Sequence, residues 1–189
     1  MTDLIIKNAT IVTADRAGSV LTGGVAVEDG RITHLGEVPD RAQETVDAQG
    51  GIVMPGLVNT HCHAADSLFR GLVENLPLEP WLQTVWKAEG AILTAATCRL
   101  GARLGFAELL LSGCTSVVDM FWHPHSTARA GAELGLRVSC GGLFFDFPGM
   151  DGKTVDTRLP DAEAFFADHP RTDRLRPGTF PHGAYTVGP

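Results

Sequence analysis

Two histidines one residue apart, His61-Cys62-His63, stand at the end of the apolar run Leu57-Val58-Asn59-Thr60. If that run is a strand, residues two apart share a face, so both imidazoles converge on one point while Cys62 turns away. Neutral imidazole nitrogens are good ligands for Zn²⁺ and also for Fe²⁺. The pair is a weak motif by itself, and its setting must carry the reading. A second group, His123-Pro124-His125, has the same spacing but a proline that restricts the backbone, and it reads as an ordinary polar loop after a strand. Asp119 lies inside an apolar run and is expected to be buried, either as a hydrogen-bonded structural carboxylate or as a functional one. His34 and His169 read as surface residues.

The elements that would position these groups fall into two zones. Leu4 to Thr13 is β-branched and apolar, and Gly24 to Glu28 and Arg31 to Leu35 flank Asp29-Gly30, a dipeptide suited to a two-residue hairpin turn. Thr45 to Val53 adds a further extended stretch before Pro55-Gly56. The first zone therefore reads as a small antiparallel β-sheet, a β-sandwich-like module over residues 1–54, and residues 55–189 form the second zone.

After Gly56, apolar runs alternate with helical segments, the pattern of a parallel sheet with crossover helices. Leu57 to Thr60 is the first strand, and Thr94 caps a helix from Ala95 to Ser112 that Gly113 ends. Thr115 to Phe121 and Arg137 to Phe145 are the next two strands, and Leu175 to Val187 holds the fourth, with its polar tip around His182. Between them, one helix runs from Ser126 to a stop at Gly135, and another has Pro160 in its first turn and ends near His169. The fold class expected is α/β, with about four β-α units of a (β/α)₈ barrel, which needs eight strands and roughly 250 residues. Four units leave open strand edges, an aggregation liability.

Composition narrows the function classes. The chain has 189 residues, 44% hydrophobic and 20% charged, which suits a globular protein with one sizeable core. A net charge of −7 argues against a phosphate-binding surface, so no nucleic-acid partner is expected, although a free base or nucleoside is not excluded. Apolar runs fall short of the roughly 18 residues of a membrane span, and no signal-peptide pattern opens the chain. A cytoplasmic protein without a membrane partner is expected. Four scattered cysteines suggest reduced, mostly buried thiols rather than disulfides or a zinc knuckle.

The segment Ile52-Val53-Met54-Pro55-Gly56-Leu57-Val58-Asn59-Thr60-His61-Cys62-His63 resembles the first-strand signature of the amidohydrolase superfamily. Leu68-Phe69-Arg70-Gly71-Leu72, then Leu78, Trp81-Leu82, Trp86 and Glu89, resemble the branch holding S-adenosylhomocysteine and methylthioadenosine deaminases, cytosine- and guanine-deaminase relatives and the triazine hydrolases. Pro181-His182-Gly183-Ala184-Tyr185-Thr186-Val187 is similar to that branch's fourth-strand His-Ala-Pro-Tyr-Thr motif, with Gly183-Ala184 in place of Ala-Pro.

The resemblance implies His61 and His63 as ligands of one divalent metal, zinc foremost and iron as the alternative. It implies Glu89, His182 and Trp86 as substrate contacts. Read without it, Glu89 is equally a solvated helix residue and His182 a hydrogen-bonded histidine at a strand end. The implied activity is hydrolytic deamination of a small amino-substituted heterocycle, of purine, pyrimidine, pterin or nucleoside type, by a metal-activated water, in a homo-oligomer. The general base and the remaining ligands of that branch follow its fifth, sixth and eighth strands, so these 189 residues alone are expected to be inactive. Loss of chloride or an alkylamine from a triazine, a non-catalytic fragment or partner half, and a plain binding protein are the alternatives.

Overall fold

A computed structural model describes residues 1–188. The chain divides into two compact units, Met1–Gly56 and Leu57–Pro189.

The first unit is one five-stranded sheet. Strand β1 (Leu4–Val12) lies at its centre, with β2 (Val20–Glu28) and β3 (Arg31–Gly36) following as an antiparallel meander. Asp29 and Gly30 both take positive φ, 51° and 70°, which is the twist a two-residue hairpin demands. Thr45 to Val53 is not a single strand. It divides into β4 (Glu44–Asp47) and β5 (Ile52–Val53) at Gln49 and Gly50, which again take positive φ, and both strands pair with β1 in parallel. The expected antiparallel sheet is therefore mixed, because the chain crosses from the β3 edge to the far side of β1 before re-entering. Ala9, Ile11 and Val25 form its buried core.

The second unit alternates strands and helices as expected, except that its fourth strand ends at Pro181 rather than reaching Val187, because the chain turns at Gly183, whose carbonyl accepts the Thr186 and Val187 N–H groups. Its sheet is parallel in the sequential order β6 (Leu57–Cys62), β7 (Cys114–Asp119), β8 (Arg137–Phe144) and β9 (Leu175–Pro181). The helices are α1 (Leu78–Ile92), α2 (Ala95–Leu111), α3 (Pro124–Leu134) and α4 (Val155–Asp168). These are the first four strands of a (β/α)₈ barrel with the helices that follow the first three, α1 and α2 both lying between β6 and β7.

Helix α2 starts where expected, at a reciprocal Thr94–Thr97 capping box. Helix α3 begins two residues before Ser126, with Pro124 in its first turn, and Gly135 ends it in the left-handed conformation. Helix α4 begins earlier than Pro160 suggests, at a Thr154–Thr157 capping box that leaves Pro160 inside the helix. The capping box outweighs the one backbone hydrogen bond a proline cannot donate. Helix α1 has no expected bounds, although Glu89 reads as a helix residue.

One packing feature fixes the start of the barrel. After β6 the chain makes a 3₁₀ turn, Ala64–Phe69, and α2 packs against it through Gly101 and Gly105. A Cβ at Gly105 would lie 2.7 Å from Ser67 Oγ and 2.8 Å from the Ala64 carbonyl oxygen, so the helix reaches the turn only because no side chain intervenes.

Candidate active site

Chemistry-bearing residues gather at the C-terminal ends of the four parallel strands, where (β/α)₈ barrels carry their sites. At the end of β6 the ladder becomes irregular between Asn59 and Cys62, and the His61 backbone N–H donates to Asn59 Oδ1 at 3.0 Å. His61 and His63 then stand side by side, ring centroids 5.1 Å apart and nearly perpendicular. His61 is exposed and His63 half-buried.

The setting of His63 suits a metal ligand. Its Nδ1 lies 2.7 Å from the Met120 carbonyl oxygen. A carbonyl can only accept, so Nδ1 carries the proton and Nε2 keeps its lone pair. Burial lowers the pKa of His63, more than the Met120 bond raises it, and neighbouring His61 lowers it further. The ring is therefore neutral near pH 7, as coordination requires. Among the described residues no third His, Cys, Asp or Glu joins this pair to make a three-ligand group.

Beside His63 lies a pocket walled by aromatic rings, among them Trp81, Trp86, Trp122 and Phe145. Glu89 projects into it from α1 and is 3% exposed. It is thus no solvated helix residue. Trp122, just past β7, donates its indole N–H to Glu89 Oε2 at 2.7 Å. Burial raises the Glu89 pKa, and the bonds to Trp122 and Asp66 oppose that shift. His182, just past β9, packs on Phe145 with centroids 4.5 Å apart, and its Nδ1 lies 2.9 Å from Thr186 Oγ1. That bond orients the ring, which lines the pocket, and occupies Nδ1 rather than Nε2. Burial lowers the His182 pKa, with His63 and His61 adding to the effect. Trp86 is half-buried on the same wall, 6.4 Å from Phe147.

The structure thus brings His63, Glu89, Trp86 and His182 around one pocket, with His61 next to His63. It also adds residues that sequence reasoning missed. Asp66, in the 3₁₀ turn, lines the pocket near Glu89, and its Oδ1 is buried without a partner among the described residues. Burial, then the charges of Glu89 and Asp119, push its pKa up to about 8. An acid three residues beyond His-x-His, among apolar neighbours, was the available signal. Trp122 had none beyond its place after an apolar strand.

Other singled-out groups lie elsewhere. Asp119 is 1% exposed and accepts the Ala64 N–H at 2.7 Å, tying β7 to the turn after the histidines. His123 precedes α3 in the left-handed conformation, whereas His125 pairs with His169 at 2.9 Å. His169 is therefore half-buried and bonded rather than a plain surface residue; His34 is exposed. All four cysteines are free, with Cys98 and Cys140 buried.

Comparison with known proteins settles the family. Residues 52–189 match the amidohydrolase family. The chain belongs to it. The 5'-deoxyadenosine deaminase of Methanosarcina mazei is 46% identical over 142 residues, 74% of this chain and 33% of that protein. The 5-methylthioadenosine/S-adenosylhomocysteine deaminase of Syntrophobacter fumaroxidans is 35% identical over 99% of this chain and 44% of its own length. Among solved structures, a zinc-bound adenosine deaminase from Xanthomonas campestris superposes with a TM-score of 0.92 at 29% identity, over 98% of this chain and 44% of that one. A zinc-complexed atrazine chlorohydrolase from Arthrobacter aurescens, at 21% identity and a TM-score of 0.83, shares the fold over 93% of this chain and 46% of that one. This amidohydrolase chain spans between a third and just under half the length of the curated relatives it matches. No helix among the described residues is long and apolar enough to cross a membrane.

Proposed function

We propose that the intact protein is a metal-dependent deaminase of a purine nucleoside, with His61 and His63 supplying two of the ligands for one divalent ion, zinc foremost. The observation that carries this is the pairing, in one pocket, of His63, its Nε2 left free by the Met120 carbonyl, with the buried Glu89 and the half-buried His182, each held by a side-chain hydrogen bond. Similarity to deaminases of adenine nucleosides supports the substrate class.

The bound ion would supply an activated water at neutral pH, able to attack a ring carbon that carries an amino group. The chain's own residues do the rest of what can be derived. Met120 holds His63 in the ligating tautomer. The aromatic wall excludes water and presents flat faces to a planar base. Glu89 offers carboxylate oxygens to substrate hydroxyl or amino donors, and its bond to Trp122 fixes their direction. His182 presents Nε2 to a polar edge of the same molecule.

The test is ammonia release and loss of adenine absorbance when the zinc-loaded intact protein meets adenosine, 5'-deoxyadenosine and methylthioadenosine. Turnover of at least one supports the proposal. Release of chloride or alkylamine from a triazine, with no ammonia from any aminopurine nucleoside, would replace it with the triazine reading.

A further inference from the structure

The aromatic wall of the pocket has a charged support behind it. Arg158, on α4, is 3% exposed, and its guanidinium makes a two-pronged bond to Asp151, through Nη1 at 2.6 Å and Nη2 at 2.9 Å. The Asp151 side chain is 4% exposed. The same guanidinium lies 5.8 Å from the ring centres of both Trp122 and Phe145, which stack on each other at 4.9 Å. Those two rings meet the polar groups of the pocket: Trp122 donates to Glu89, and Phe145 packs on His182. Gly149 completes the support, since a Cβ there would collide with Arg158 Nη2 and lie 2.7 Å from Trp122.

A buried ion pair is poor evidence of stability, because desolvation consumes most of the attraction between its members. Here Arg158 Nε is also left without a partner among the described residues. What the pair supplies is direction. A planar guanidinium held by two bonds to one carboxylate cannot rotate, so it holds its charge at a fixed place 5.8 Å from both ring centres. Neither aliphatic packing nor a lysine ammonium would do this.

We infer that Arg158 and Asp151 are positioning residues, which fix Trp122 and Phe145 and through them set the orientation of Glu89 and His182 toward substrate. The inference rests on the purine-nucleoside reading for its kinetic consequence, but its structural consequence can be read without turnover. Arg158 touches no substrate; it acts one residue removed, through the two rings.

The experiment compares the intact protein with the double variant Asp151→Asn/Arg158→Met, which removes both charges together, and with Arg158→Lys, which keeps the charge and loses the fork. The first readout is the indole N–H resonance of Trp122, assigned with Glu89→Gln. Its bond to a carboxylate places it downfield, and the double variant is expected to move it upfield while the Trp81 and Trp86 resonances stay. The second is kinetic: KM for the nucleoside rises about tenfold or more in the double variant with kcat changed less than threefold, and Arg158→Lys falls between. An unmoved Trp122 resonance, or an unchanged KM per folded protein, would overturn the inference. If the wild-type protein turns over no nucleoside, the function proposal fails, and the Trp122 resonance still decides this one.

Discussion

At the residue scale, the chemistry depends on which nitrogen of each imidazole is left free. The bond to the Met120 carbonyl leaves the His63 Nε2 lone pair free, so if His63 ligates metal as proposed, His63→Ala should remove a ligand that no neighbour replaces. We predict that the zinc content of the intact protein, by atomic emission after dialysis, falls at least tenfold in His63→Ala and stays near wild type in His182→Ala. Equal losses in both would place His182 among the ligands instead. Asp66 makes a separate prediction. Burial raises its folded pKa to about 8, above its ordinary value near 4, so folding favours the protonated form. The stability it contributes is complete below about pH 4 and is lost as pH rises toward 8. Asp66→Asn keeps the shape and removes the proton, so in chelator its melting temperature should match wild type at pH 4 and exceed it at pH 8. A difference that does not grow with pH would show that Asp66 is not desolvated in the metal-free protein. The residues of this site were unevenly legible. Strand periodicity suggested that His61 and His63 share a face, but only the resemblance of the whole Ile52–His63 segment lifted that pair above a weak motif, and the ladder is in fact irregular there. Glu89, Trp86 and His182 were reachable only through resemblance, since nothing local says that a helix glutamate will be buried. Asp66 went unread because its burial depends on a helix more than ten residues away.

At the element scale, the β6 end is set by how closely α2 approaches the turn that follows the histidines. Gly101 and Gly105 permit that approach, and the Asp119 carboxylate takes the Ala64 N–H from the other side. Gly105→Ala adds a methyl group where Ser67 Oγ and the Ala64 carbonyl already stand, and overpacking of this kind costs about 1–3 kcal/mol. We predict that it lowers stability by that amount in denaturant unfolding and weakens zinc binding, because the turn follows directly on His63. Thr94→Ala, which removes the α2 cap at the other end of the same helix, should cost about 1 kcal/mol and leave zinc binding unchanged. Similar zinc affinities in the two variants would mean that α2 stabilises the unit without registering the histidines. Most elements of this unit were legible because apolar runs, caps and stop glycines agree. Helix α1 was not: Pro77, Pro80 and Gly90 break its pattern, although Leu82, Val85, Trp86 and Glu89 do fall on one helical face. The parallel entry of β4 and β5 was illegible for another reason, since strand direction is set by the path of the connection and not by the strand's own residues.

At the scale of the whole molecule, ligand count and sheet edges bear on the same question. Two imidazoles bind Zn²⁺ far more weakly than the three or four ligands of a working site, and the described residues offer no third. Strands β6 and β9 each have a single neighbour in the described sheet, and Leu57 and Val58 on β6 are 50% and 62% exposed. On α2, Leu100, Leu104 and Leu111 are exposed at helical spacing. An unpaired parallel edge beside exposed apolar side chains favours pairing with another chain. These observations lead to one prediction for residues 1–189 purified alone. The polypeptide should self-associate in light scattering at micromolar concentration, retain little zinc after dialysis, and release no ammonia from adenosine. A monodisperse monomer would show that the edges are protected in a way the described contacts do not reveal. Metal-dependent turnover by that monomer would go further: it would require a proton-transfer group within these residues, and the buried carboxyl pair of Asp66 and Glu89 would be where to look for it.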